Sequence, residues 1–335
     1  MRRTTWIGWK PAIDSPRYFM TSSWYGRLEH PLLTFSRRTF VGAAAAAALT
    51  VTGQAFAAAP TRVILLGSKG GPSPSPSRAP ACVAIVIGGS IYLVDCPNGV
   101  ARQIVMAGLS LDRLSQVFIT HNHSDHVLDV GSLLVLAWGS GLKSAVGVHG
   151  PSPLRKIVAQ SLAASSYDIA ARMREEGRPP LKPLIHVHEQ ESAGPVFRDA
   201  TVTVSCTAVD HYTVRPALAY RFDTPTRSIV ISGDTTCSDA LVDLARDADL
   251  LIHEAMYADG IDQLASGNTS LREHLLRSHS TTEQVGMVAA RAGVKKLVLS
   301  HLVPAFPTIT DEMWLTGVRK YFSGEAIVGR DLLEV

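Results

Sequence analysis

From about residue 61 onward, short apolar runs alternate with polar, glycine-rich breaks and with longer stretches of helical period. Residues 61–66, 82–87 and 91–95 read as strands, the last two forming a hairpin across Gly88-Gly89-Ser90. Further apolar runs at 116–120, 145–148, 196–197, 201–208, 217–222, 229–232, 250–253 and 297–300 also read as strands. Helical patterns fall at 100–107, 130–138, 152–173, 238–246, 280–292 and 311–322. Ser280 followed by Glu283 has the form of a capping box opening the helix at 280. Strands alternating with helices through one continuous core predict an α/β fold. No fixed-period repeat or linker divides residues 58–335, which are read as one domain. Residues 156–183, with Tyr167 and Met173, are the largest apparent insertion and are read as a helical lid over a pocket.

The first 57 residues have a different pattern. Arg37-Arg38 precedes an apolar, alanine-rich run from Val41 to about Val51, and Ala55-Phe56-Ala57 follows as a small-x-small cleavage site. This order describes a secretory signal, and the paired arginines resemble a twin-arginine export signal. The run is too short to span a bilayer comfortably. The expectation is a cleaved segment 1–57, a periplasmic or secreted product, and no stable membrane anchor.

Removing that segment changes the charge balance. It carries seven of the 32 basic and two of the 29 acidic residues, which leaves 25 against 27, a net of −2. A broadly basic surface for phosphate backbones is therefore absent, and no nucleic-acid partner is expected. Cys82, Cys96, Cys206 and Cys237 match no C-x-x-C spacing and are read as free thiols in apolar surroundings.

The candidate chemistry lies at strand ends. Thr120-His121-Asn122-His123-Ser124-Asp125-His126 follows the strand at 116–120. His211 follows the strand at 201–208, Gly233-Asp234 the one at 229–232, Glu254 the one at 250–253, and His301 the one at 297–300. Ligand sites in α/β sheets gather at such ends because the strands hold them rigidly. His121 and His123 are two apart in extended chain and can point one way, while Asp125 and His126 follow as the chain turns. One loop could thus feed two metal ions. Imidazole and carboxylate donors suit zinc first, with manganese or iron as alternatives.

The motif H-x-H-x-D-H at residues 121–126 is similar to the signature of the metallo-β-lactamase superfamily. Asp210-His211, Ser232-Gly233-Asp234-Thr235 and Ser300-His301-Leu302 resemble its downstream marks, and His253-Glu254-Ala255 with His279-Ser280-Thr281 resemble the ribonuclease Z and arylsulfatase-like branch. The resemblance implies a four-layer αβ/βα sandwich with two mixed sheets and two divalent metals at one edge. It implies His121, His123 and His211 on the first metal, Asp125, His126 and His301 on the second, and Asp234 bridging. Such an arrangement uses a water ionised between the metals as nucleophile. Asp125 would orient that water or take its proton, and His279, supported by Glu254, would stabilise the attacked group or protonate the leaving group.

Other histidines have blander readings. His149 ends a strand outside the motifs, His186-Val187-His188 has metal-pair spacing without partners, and His274 sits on a charged, solvated-looking helix. Asp95 resembles the family's turn that supports the metal loop. Gly70-Gly71 and the Ser/Pro run after it read as a flexible loop near the pocket, because the Lys-Ser/Thr of a phosphate loop is missing.

Fold does not fix the substrate. Ribonuclease Z relatives carry a tRNA-gripping insertion between the third histidine and the bridging aspartate, whereas His211 and Asp234 are only 23 positions apart. The expectation is a small anionic ester, of the arylsulfatase or phosphodiesterase kind. Lactone or β-lactam hydrolysis, ribonuclease Z-like cleavage of RNA, and a non-enzymatic metal-binding module are the alternatives. The resemblance also allows a homodimer.

Overall fold

The computed structural model describes residues 60–335. The expected export segment, residues 1–57, lies outside the described residues. Among the described residues, no helix is long and apolar enough to cross a membrane.

Period-two alternation sets the layers. In β1 (Thr61–Gly67), Val63 and Leu65 enter one core while Ile64 and Leu66 enter another. The chain continues through β2 (Cys82–Ile87), β3 (Ser90–Val94), α1 (Val100–Met106), β4 (Leu114–Phe118), α2 (Ser124–Val127), α3 (Val130–Gly139), β5 (Val146–Gly150), α4 (Leu154–Ala164), α5 (Ser166–Glu175) and β6 (Ile185–Glu189). Its second half comprises β7 (Gly194–Arg198), β8 (Thr203–His211), β9 (Val214–Asp223), β10 (Ser228–Ile231), α6 (Asp239–Leu244), β11 (Leu250–Met256), α7 (Ile261–Ala265), α8 (Thr269–Ser278), α9 (Thr282–Ala292), β12 (Lys296–Val303), α10 (Asp311–Val318) and β13 (Glu325–Val328). A short β14 (Leu333–Glu334) then returns to pair with β1.

Two seven-stranded mixed sheets result, ordered β14-β1-β2-β3-β4-β5-β6 and β13-β12-β11-β10-β9-β8-β7. Each joins an antiparallel part to a parallel part reached by helical crossovers. The inner faces meet in a core where Phe118 touches Tyr220 and Phe222 at ring-centroid distances of 5.6 and 5.1 Å. Aromatic pairs of this kind add about 0.5–1.5 kcal/mol each beyond their burial. α1, α3 and α4 cover the outer face of the first sheet, and α6, α9 and α10 that of the second. This is the four-layer sandwich expected from the sequence.

Several local expectations need correction. The helix expected over 152–173 breaks at Ser165 into α4 and α5. The 156–183 segment is not a lid over the large cavity described below, because none of its residues lines that cavity. Ile157, Val158 and Leu162 instead pack on the outer core of the first sheet, and α5 buries nothing. The α9 cap is displaced by one residue. Thr281 and Gln284 make the capping box, while Glu283 turns outward to Lys320 at 3.0 Å. Residues 185–189, not read as a strand from the sequence, form the edge strand β6. Cys82, Cys96 and Cys206 are buried free thiols as expected, but Cys237 is exposed.

Candidate metal centre

The histidine loop is tied to both sheets. Just beyond β4, the Thr120 carbonyl accepts the Leu218 N–H of β9 at 2.9 Å, and the Ile119 carbonyl accepts the Tyr220 hydroxyl at 2.9 Å. Asp95, in a left-handed conformation after β3 (φ 65°), fixes the loop from behind. Its Oδ1 accepts the Thr120 N–H at 2.8 Å, and its Oδ2 lies 2.7 Å from His126 Nδ1. That contact orients the His126 ring and leaves Nε2 for the cluster.

Irregular strands deliver the distant members. β12 pairs with β11 in register until Glu254 opposes Ser300, after which Ala255 opposes Leu302. The skipped residue is His301, with φ 42°. A bulge of this kind re-aims one side chain out of the sheet's alternation. A similar shift in the β8–β9 ladder precedes His211, whose Nδ1 donates to the Ser278 carbonyl at 2.9 Å. Asp234 follows Gly233, which has φ 60° and packs so closely that a Cβ would come within 2.6 Å of the Leu218 carbonyl oxygen.

Two trios of donor atoms result. His121, His123 and His211 form one, and Asp125, His126 and His301 form the other, each with its donor atoms within 4.8 Å of one another. Asp234 lies between them. Its Oδ2 is 3.9 Å from His121 Nε2 and from His211 Nε2, 3.4 Å from His126 Nε2 and 3.3 Å from His301 Nε2.

The electrostatics favour cations in this cluster. Asp95, Asp125, Asp234 and Glu254 are all buried, and among the described residues none of them pairs with Lys or Arg. Buried carboxylates without compensation are costly. Burial pushes the Asp234 carboxyl up, but His301 and His126 outweigh it and hold it well below the usual range. Burial likewise opposes charge on His126, yet Asp234 and Asp95 raise it well above an ordinary imidazole. Carboxylates kept charged in this way favour a cation beside them. His121 is pushed well down by burial and by His126, and His123 to about 4 by burial and by His211. Those two rings are therefore neutral and ready to ligate. His126 Nε2 and Asp234 Oδ1 are buried without a hydrogen-bond partner, which donors awaiting a cation explain.

Beside the trios stands a second polar unit. Glu254 Oε1 lies 3.2 Å from His279 Nδ1 and accepts the backbone N–H groups of Thr235 at 3.1 Å and Ser280 at 3.0 Å. Burial opposes a charge on His279, but the Glu254 carboxylate outweighs it and lifts the imidazole to about 9.

The cluster opens into a cavity of about 780 Å³. Its walls are the 69–77 loop, α7–α8, and residues 303–307. The loop was expected near the pocket. Lys69 on it is pushed down by burial, with Asp125 opposing, and a Cβ on Gly70 would come within 2.6 Å of His301 Nδ1. His274 also lines the cavity, which corrects its reading as a solvated helix residue. Three helical positions on from Leu271, it shares the face that packs inward, a signal the charged neighbours masked. His149 and His188 stack on each other at 4.9 Å, away from the cluster.

A β-lactamase superfamily domain model matches residues 91–302. The chain belongs to the β-lactamase superfamily. It is 33% identical over 276 residues to ribonuclease Z of Mycobacterium bovis, covering 82% of this chain and 97% of that protein. The figure is 32% over the same length for ribonuclease Z of Mycobacterium tuberculosis, with the same coverage. The short form of human tRNase Z superposes with a TM-score of 0.60 at 24% identity, over 82% of this chain and 98% of that one. A metallo-β-lactamase fold protein from Bacillus subtilis gives 0.61 at 21% identity, over 82% and 99%. These two superpositions show the fold. As a member of this superfamily with complete His/Asp metal-binding groups, the protein is a metal-dependent hydrolase.

Relatives named ribonuclease Z overturn the expectation of a small-molecule ester partner and no nucleic acid. The charge argument failed because net charge averages over the whole surface. It says nothing of positive charge concentrated at one reacting phosphate.

Proposed function

We propose that the protein is a metal-dependent phosphodiesterase that cleaves RNA. The observation that carries this reading is end-to-end similarity to ribonuclease Z, 33% identity across 97% of the Mycobacterium bovis protein. The seven clustered donors and the Glu254–His279 pair support it.

In this reading His121, His123 and His211 would hold one divalent cation and Asp125, His126 and His301 a second, with Asp234 placed between the two groups to serve both. The imidazole-rich donor set favours zinc, with manganese or iron as substitutes. The cations supply Lewis-acid chemistry to the phosphoryl group and to water. Asp125, with Oδ2 at 3.4 Å from His301 Nε2 and 3.6 Å from His126 Nε2, orients the attacking water and accepts its proton. A new P–O bond forms from that water as the bond to the leaving oxygen breaks. His279 gives its proton to that oxygen, and Glu254 holds the ring in place and keeps it protonated.

The test is cleavage of a precursor tRNA carrying a 3′ trailer by the full chain, with and without chelator. Metal-dependent release of the trailer is expected. A protein that carries its metals and leaves the precursor intact would refute the reading.

A further inference from the structure

His274 has no part in either donor trio, yet it completes the rim of the first one. Its ring centroid lies 6.1 Å from that of His123 and 6.2 Å from that of His211, nearly edge-on at 73° and 71°, and 6.4 Å from that of His279. It lines the same cavity as His123, Asp125 and His279.

Its placement is built rather than incidental. Asn268 caps α8 through its side chain, and Leu275 and Ser278 are buried beneath the helix. One helical turn after His274, the Ser278 hydroxyl lies 3.2 Å from His274 Nδ1. The carbonyl of the same residue accepts from His211 Nδ1 at 2.9 Å. Ser278 thus fixes two rings at once, one through its backbone and one through its side chain. A serine hydroxyl can donate to Nδ1, which places the ring proton on Nε2. His274 then offers an N–H donor to the cavity.

We infer that His274 is a substrate-contacting residue whose Nε2–H binds a non-bridging oxygen of the scissile phosphate in the space it shares with His123, His211 and His279. The inference rests on the phosphodiesterase reading for its substrate, and on the cavity geometry for its position. The contact holds the phosphoryl group in line with the attacking water. It adds, beside His279, a second donor that belongs to neither metal-binding trio.

The test compares full-length wild type, His274→Ala and His274→Gln, all loaded with zinc. Three quantities are measured: metal content, affinity for inorganic phosphate, and kcat/KM on a 3′-extended precursor RNA. The expected result for His274→Ala is unchanged metal content, weaker phosphate binding, and a drop in kcat/KM of about 10- to 100-fold, the range for a hydrogen bond to a charged group. His274→Gln, which keeps an N–H donor, recovers part of the loss. Unchanged phosphate affinity and kcat/KM in His274→Ala would overturn the inference. So would a loss that only follows loss of metal. If wild type fails on RNA while His274→Ala still weakens phosphate binding, the RNA reading falls and the anion contact stands.

Discussion

Two pairs of histidines in this chain share one spacing and have opposite surroundings. His121-x-His123 and His186-x-His188 each place two imidazoles on one side of an extended segment. The first pair sits just past the end of β4, where ends of the second sheet's strands bring His211, Asp234 and His301 to meet it. The second lies within the edge strand β6. There His188 stacks on His149, His149 stacks on Phe118 at 4.9 Å, and His149 Nε2 lies 2.9 Å from Gln116 Oε1. Among the described residues, no carboxylate joins these rings in a metal-binding group. Spacing makes a pair of rings available, but convergence with buried carboxylates at strand ends makes a metal centre.

The largest test removes the carboxylate between the trios. Asp234→Ala should lower turnover by at least about 10³-fold, because positioning and electrostatic stabilisation by the cations are lost together. A single-turnover assay on precursor RNA reads this directly. His186→Ala with His188→Ala should leave the same assay within about twofold, as expected of substitutions far from the chemistry.

Glu254→Gln should have the next largest effect, about 10²-fold in kcat with metal retained, through the acid that Glu254 keeps charged. The pH profile carries the sign. The His279 proton is present below about 9 and lost as pH rises through it. Activity in wild type should therefore fall on the alkaline side near that value, and Glu254→Gln should move the fall to lower pH. A profile that does not move would remove His279 from the role of acid.

His149→Ala should do the reverse, lowering stability by about 2 kcal/mol and leaving kcat unchanged. It deletes a buried ring packed between Phe118 and His188. Urea unfolding beside the RNA assay separates the two effects.

The smallest effect lies at the opposite end of a strand that feeds the centre. Asp249, at the start of β11, meets Lys295 Nζ at 2.6 Å and accepts the Ser228 N–H at 2.7 Å, which together hold its carboxyl down to about 2. A depressed carboxyl stabilises the fold above its unfolded pKa, about 4, and the benefit is lost as pH falls toward 2. Asp249→Asn should flatten the stability profile across that window and leave it unchanged in form above it.

Apolar runs announce the places of His121, His123, His211, Asp234 and Glu254, Asp125 and His126 follow on the short α2, and His279, just after α8, was named only through the family resemblance. The bulge that aims His301 was not legible, because a skipped ladder position is a property of two strands together. His274 was hidden by its charged neighbours Arg272 and Glu273, although Leu271 and Leu275 mark the buried face beside it. The lid assigned to 156–183 failed for a related reason. An amphipathic helix shows that one face is covered, not which neighbour covers it, and α4 is covered by the outer core of the first sheet. The choice of substrate lay beyond the residues themselves, since one two-cation cluster can serve several esters.

Metal content decides the central claim. The full chain, purified and measured by elemental analysis, should carry two divalent ions per molecule. Asp234→Ala should lose one or both, and His186→Ala with His188→Ala should keep both. Two ions retained in Asp234→Ala, or ions lost only from the His186 and His188 variant, would contradict it.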